Sequence, residues 1–295
     1  MLETPTQAFV EIEHPLLNTT WKEKLGSHTA KITFLDFVQM KSEKSDEPVQ
    51  LGLAPQKMVI ETATRNIASE VNVTEFKETT GLDATGLILG KHIESLTNET
   101  TTNLSKIYES LGELRRKKHL TKLQTFYEKY IGKLPVYALT PDDLLRKCAL
   151  YGNLIAVNSR RGSADFIIAG NIIGQYFGDN PAFVYSNAQN SYFLGSPIYE
   201  FGQINGMKVF INSQMDNHKI VLGRNTRKGD LGVGFFESGR VFDIVQLPDQ
   251  EKAKYVLRSD DAIAVIPDEA KASANYYSFN IKIAKRPFWK KWLRL

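Results

Sequence analysis

Between Leu87 and Lys118 the aliphatic residues Leu89, Ile93, Leu96, Leu104, Ile107, Leu111 and Leu114 recur at steps of three and four. That spacing puts them on one face of a long helix. The run TNETTT, residues 97–102, interrupts the good helix formers. β-Branched side chains lose rotamer freedom in a helix, so this run is read as a weak spot and a bend. The stretches before the helix have strand composition. Any fold for this chain must accommodate one long helix among strands.

Residues 30–40 (AKITFLDFVQM) and 57–68 (KMVIETATRNIA) are rich in Ile, Val, Phe and Thr, as strands are. The connecting residues 41–56 are polar and charged, and are punctuated by Pro48, Gly52 and Pro55. Two strands around such a tip form a long hairpin that projects from the body. Residues 1–28 show no clear apolar period and contain Pro5 and Pro15, which reads as an extended arm.

After Pro135 and Pro141 the pattern PDDLLRKCALYGNLIAVNS is a second helix. Thr140 is its N-cap, Pro141 its first position, and Asp142 and Asp143 lie in its first turn. ADFIIAG then reads as a short apolar strand, followed by a short helix to Phe177. Strand candidates follow: GMKVFIN, KIVLGRN, LGVGFFE, RVFDIVQLP, YVLRS, AIAVIP and YYSFNIKIA. The order is hairpin, long helix, mixed middle and β-rich end. This is α+β and lacks the βαβ regularity of a doubly wound sheet.

Of 295 residues, 42% are hydrophobic and 24% charged, ordinary values for a folded protein. No apolar run approaches the roughly 20 residues that span a bilayer. The acidic N-terminal residues do not resemble a signal peptide, so a soluble protein of a reducing compartment is expected. The net charge of +4 is uneven, because seven bases and no acid follow Glu269. Without those seven the 37 bases fall to 30 against the same 33 acids. A second basic cluster, Arg115, Arg116, Lys117, Lys118 and Lys122, is read as a solvated helix end.

Enzyme signatures are missing from the sequence. There is no GxxxxGK[ST] phosphate loop and no GxSxG elbow, and the glycines of GDLGVGFFESG miss the GxGxxG spacing. The five histidines (His14, His28, His92, His119, His218) are scattered. The single cysteine, Cys148, excludes a disulfide framework and sits in a predicted helix as a small packed residue. Asp142/Asp143 and Asp260/Asp261 are sequence neighbours whose carboxylates point apart, unlike a shared-proton dyad. No catalytic residue, cofactor site or metal site is expected. The tail AKRPFWKKWLRL interleaves Phe288, Trp289, Trp292 and Leu293 with bases. It suits packing on its own subunit, docking on a partner protein, or contact with a phosphate backbone or membrane surface.

Three stretches, in order, resemble the major capsid proteins of tailed phages, in particular those like the T-even phages. The first, residues 57–107, matches a strand ending in Thr64 and Arg65, a Thr74–Glu75 step, then Gly81, Leu82 and Asp83 ahead of a long helix. The second, residues 154–177, matches a helix, an Arg-Arg-Gly turn, an apolar strand and a short helix. The third, residues 204–238, resembles paired strands, with Leu222, Gly223 and Arg224 ahead of a Gly-x-x-Phe-Phe. The TNETTT run departs from the family's stronger helix formers. The chain leaves no room for an inserted surface domain, and the Trp-rich basic tail lies outside the pattern.

The resemblance implies the Hong Kong 97-type capsid fold, which encapsulins share. It implies an N-terminal arm (1–28), an extended E-loop hairpin (29–74) and a peripheral domain with a spine helix (75–134). An axial domain (135–235), strands returning to the peripheral domain (236–284) and the basic tail (285–295) complete it. The implied function is self-assembly into pentamers and hexamers of an icosahedral head enclosing double-stranded DNA without sequence specificity. Implied partners are further copies of the chain, a portal, a scaffold and other head proteins, with no membrane. The implied location is the virion, with assembly in the host cytoplasm. Interface candidates are Phe34, Phe37, Val38, Met58, Ile60, Arg160, Arg161, Trp289 and Trp292. Hinge candidates are Gly81, Gly86 and Gly90, each of which also suits an ordinary helix start. An encapsulin-type cargo shell, a capsid vertex protein, and a nucleic-acid-binding protein using the tail are the alternatives.

Overall fold

The computed structural model describes residues 13–39, 51–122, 124–126, 135–138, 140–186, 196–247 and 251–283. The chain divides into two compact units, Met1–Thr101 with Thr226–Pro267, and Thr102–Asn225 with Asp268–Leu295.

The first unit contains β1 (Trp21–Lys24), β2 (Thr29–Gln39), β3 (Leu51–Glu61), β4 (Ala63–Asn72), α1 (Val73–Thr80), the first half of α2 (Ala84–His119), β11 (Gly232–Gln246) and β12 (Lys252–Ile266). Its main sheet has the order β1-β11-β12-β4, with β1 parallel to β11 and the other pairs antiparallel. The expected hairpin is present as a separate two-stranded sheet, β2–β3, paired from Thr29↔Glu61 to Gln39↔Leu51. Its pairing runs through residues 51–56, which the sequence assigns to the tip; the rest of the tip lies outside the described residues.

Three sequence expectations change here. KMVIETATRNIA is divided between β3 and β4, because Thr62 N–H bonds to His28 O at 2.8 Å and the chain passes from hairpin to main sheet there. LGVGFFE and RVFDIVQ form one 15-residue strand, with a register shift between Glu237 and Gly239. The glycine serves a bulge and not a turn. YVLRS and AIAVI likewise join in β12. The described part of the N-terminal arm is also built into this unit. Leu16, Leu17, Trp21 and Leu25 are buried, and Trp21 meets Phe236 edge-on with centroids 5.5 Å apart.

The second unit holds the rest of α2, β5 (Pro135–Ala138), α3 (Pro141–Ser159), β6 (Phe166–Ala169), α4 (Asn171–Gly178), β7 (Val184–Tyr185), β8 (Ile198–Ile204), β9 (Met207–Asn212), β10 (Lys219–Gly223), a short α5 (Glu269–Ala272) and β13 (Tyr276–Ile283). Its seven-stranded sheet has the order β5-β13-β10-β6-β9-β8-β7 and mixed directions. Thr140 caps α3 as its sequence predicts, accepting from Asp143 N–H at 3.1 Å, with Pro141 in the first turn.

Alternate residues of a strand face opposite sides of a sheet. Ile167, Ile220, Leu222, Tyr277, Phe279 and Ile281 join Leu144, Cys148 and Ile155 of α3 and Ile173 and Phe177 of α4 in one core. Phe166 and Tyr276 face the other way and meet Tyr108 of α2, with ring centroids 5.2 and 4.8 Å away. Helices therefore cover both faces of this sheet. Gly112 lets α2 approach closely, since an added Cβ would sit 2.7 Å from Ser278 N.

The helix α2 runs without interruption through the TNETTT run, where the sequence predicts a bend. Thr97, Thr100 and Thr101 are buried, and each hydroxyl donates to the carbonyl four residues earlier, at 2.7, 2.8 and 2.9 Å. A threonine that satisfies its hydroxyl on its own helix can be buried within it, and burial offsets the modest propensity cost.

Candidate assembly surfaces

The hairpin is anchored at its base, and Leu35 N–H, just beyond it, bonds to Gly229 O at 2.9 Å. Ile32, Phe34 and Ile60 are buried with Trp21, Leu25, Phe236 and Ile266, and Met58 packs on this cluster. Phe34 and Ile60 are thus covered by their own unit, and their burial fixes the hairpin to the sheet. Leu35 and Val59 are exposed at 42% and 51%. Phe37 and Val38 lie further out on β2, paired with Leu53 and Gly52. A two-stranded ribbon is marginal in water by itself. Its stability rests on the anchored base and on whatever covers its outer half.

The other candidates are dispersed. Arg160 ends α3 in the left-handed conformation (φ 55°), with its N–H on Ala156 O. Arg161 follows it in the turn. Gly81 ends α1 with φ 69°. Gly86 and Gly90 lie inside α2, and a Cβ at either would meet nothing within 4 Å. Trp289 and Trp292 lie outside the described residues.

Two charged clusters go beyond what the sequence predicts. In the first unit, Arg65 Nη2 lies 2.5 Å from both oxygens of Asp261 and 2.9 Å from Thr100 Oγ1. Ser259 donates to Asp261 at 2.6 Å and accepts from Arg240 Nε at 3.1 Å, while Arg240 also pairs with Glu237. In the second unit, buried Lys219 donates to both Glu109 and Glu113 of α2. Burial works against its charge, but the two carboxylates prevail and hold the ammonium above the ordinary lysine range. Glu109 and Glu113 lie one helical turn apart, a spacing that lets two carboxylates reach one partner, and this was the available signal for the cluster.

His92 and Cys148 are packing residues. His92 lies in the buried stripe of α2, 3.0 Å from Ser69 Oγ and edge-on to Phe242, and burial lowers its proton affinity. Cys148 is fully buried and its thiol is pushed up by desolvation, which leaves it unreactive. Among the described residues no group of three or more His, Cys, Asp or Glu is placed to hold a metal ion. No described helix is long and apolar enough to cross a membrane.

The motif positions serve the fold. Thr64 donates to Asp260 at 2.5 Å beside the Arg65–Asp261 pair. Gly223 leaves room for the Phe166 ring, 2.1 Å from where a Cβ would be. Asn72 caps α1 by accepting from Glu75 N–H at 3.1 Å.

No protein-family model and no curated protein matches this chain. Solved structures match over nearly its whole length. The capsid structure of the cyanophage P-SCSP1u has 7% identity, covers 96% of this chain and 91% of its own, and gives a TM-score of 0.55. A structure from Mycobacterium phage Adephagia has 9% identity, coverages of 95% and 93%, and a TM-score of 0.52. One from Mycobacterium phage Cain has 9% identity, coverages of 97% and 94%, and a TM-score of 0.51. The chain has the α+β fold of the tailed-phage capsid proteins that its sequence resembles.

Proposed function

We propose that this protein is the structural, non-catalytic building block of a phage head, assembling with copies of itself into a closed shell around double-stranded DNA. The observation that carries this reading is the likeness along 96% of the chain to the cyanophage capsid structure. The β2–β3 ribbon supports it. A hairpin that forms its own two-stranded sheet and exposes Leu35 and Val59 is suited to lie on a neighbouring copy. In a closed shell each such contact can be modest, because every subunit makes several and the symmetry closes them.

In this reading Phe37 and Val38 join the hairpin's inter-subunit contact beyond Met58, which packs on its own unit, and Arg160 and Arg161 contribute from the α3 turn. Trp289 and Trp292 anchor the tail on protein. Gly81, Gly86 and Gly90 absorb the difference between five- and six-fold settings. A portal and a scaffold would be partners during assembly in the host cytoplasm, and the virion is the final location.

Electron microscopy of the purified chain, with a scaffold if needed, is expected to show five- and six-fold rings or closed shells. A protein that stays monomeric under all assembly conditions overturns the reading. Shells that retain a bound enzyme in place of DNA would instead identify a cargo compartment. Deleting residues 41–50 is expected to abolish assembly and leave the subunit folded.

A further inference from the structure

Residues 115–122 carry five bases (Arg115, Arg116, Lys117, Lys118 and Lys122) and no acid. Sequence alone makes them a solvated end to α2. The structure brings a second basic group beside them. Asn158, in the last turn of α3, has its amide nitrogen 3.2 Å from His119 Nε2, so the C-terminal ends of α2 and α3 adjoin. There α3 stops at Arg160 and continues into Arg161 and Gly162. The Arg224 side chain crosses that glycine, its Nε 3.5 Å from where a Cβ would be. Lys117, Lys118, Lys122 and Arg160 are exposed. We infer that these adjoining helix ends form a binding surface for the phosphate backbone of double-stranded nucleic acid. The inference rests on the shell reading for the identity of the partner.

Part of this charge has structural duties, while Lys117 and Lys122 are exposed. Arg116 is buried, with Glu113 and the rings of Tyr151 and Tyr277 beside it. Lys118 donates to Ala270 O at 3.3 Å. A helix C-terminus carries about half a unit of negative charge, so two of them offset about one cation. Acids of the neighbouring segments offset another part, Glu113 acting on Arg116 as well as on Lys219. Asp165 accepts from Asn225 N–H at 2.7 Å, and Asp268 caps α5 at 2.9 Å. Burial, and then the charge on Arg115, lower the proton affinity of His119.

Clustered lysines and arginines on a convex helix end can neutralise phosphates but do not read base edges. Binding here is therefore indifferent to sequence and steeply dependent on salt.

The test uses the full-length chain, as capsomers or as the soluble subunit, and a fluorescent duplex of about 30 base pairs, titrated between about 50 and 200 mM salt. The variant Lys117→Gln/Lys118→Gln/Lys122→Gln changes exposed side chains, and a thermal melt checks its fold. We expect the log–log salt slope to fall by about 0.9 for each phosphate no longer neutralised, or about 2–3 in total. DNA should also protect these lysines from acetylation, as read by mass spectrometry of the unaltered chain. An unchanged slope without protection overturns the inference. So does a slope that falls only in Lys290→Gln/Lys291→Gln, which would move the contact to the tail, and so does a wild-type chain that binds no DNA at the lowest salt. Microscopy of the same variants separates the two readings. Shells with an unaltered salt slope sink this surface alone, and a reduced slope without shells sinks the shell reading alone.

Discussion

The guanidinium of Arg65 on β4 and the carboxylate of Asp261 on β12 meet at 2.5 Å, with Asp261 almost wholly buried. The pair links the Thr-Arg motif at residues 64–65 to an acidic dipeptide nearly two hundred residues later, and Thr100 of α2 joins it. Removing one partner of a buried pair strands the other charge. Arg65→Ala should therefore lower stability by about 3 kcal/mol, read as a fall in the urea midpoint with an unchanged m-value. A loss below about 0.5 kcal/mol would show that the pair behaves as a surface contact.

Gly112 and the pair Gly86/Gly90 should respond to alanine in opposite directions. Helix propensity alone favours alanine over glycine by about 1 kcal/mol at each. At Gly112 the new methyl would press on Ser278 N at 2.7 Å, and overpacking costs about 1–3 kcal/mol, so Gly112→Ala should lower the melting temperature. Gly86→Ala and Gly90→Ala enter open space and should raise it. If those two variants are more stable yet assemble poorly by sedimentation, the glycines act as joints. Normal assembly would leave them as ordinary helix positions.

Lys219 is held by two carboxylates that keep about 30% of their side-chain exposure, 31% for Glu109 and 27% for Glu113. Lys219→Met should cost about 2 kcal/mol, below the value for a wholly buried pair. The pH dependence follows from the raised folded-state pKa. Its contribution is fully present below the unfolded value of about 10.4 and disappears as pH rises through the folded one. Alkaline unfolding should therefore be shallower in Lys219→Met than in the parent chain, as followed by circular dichroism.

His92 carries the opposite sign. Burial lowers its proton affinity, so the unfolded chain takes up its proton first. Stability should fall as pH drops below about 6.5, the ordinary histidine value. Replacing His92 with Gln keeps a partner for Ser69 and removes the titration. Between about pH 7 and 5 the variant should lose less stability than the parent, and equal losses would show that other groups carry the acid response.

Periodic and local signals in the sequence survived folding. The aliphatic stripe became α2, the Thr140–Pro141–Asp142 start became the cap of α3, and the β2–β3 ribbon formed around its charged connection. These features depend on residues within a turn or two of one another, which is the range over which a linear reading is informative. The threonines of α2 depart from their propensity because propensity describes a solvated helix. Their hydroxyls bond within the helix, and Thr97, Thr100 and Thr101 are buried.

What only the tertiary structure decided depends on pairing across long separations. No local pattern marks Ser238–Gly239 as a bulge inside one strand, or divides the uniform run KMVIETATRNIA at Thr62; the strands beside them do so. Asp261 reads only as one of two neighbouring carboxylates until β4 brings Arg65 beside it. Lys219 reads as a strand-end base until the two glutamates of α2 meet it. The sequence by itself located α2, the start of α3 and the β2–β3 hairpin and pointed to the capsid fold, because periodicity and short motifs are properties of neighbouring residues. The partner of each buried charge, and which bases gather at the ends of α2 and α3, were decided by the fold, because a charge is tolerable inside a protein only where distant chain segments bring its counterpart within hydrogen-bonding distance.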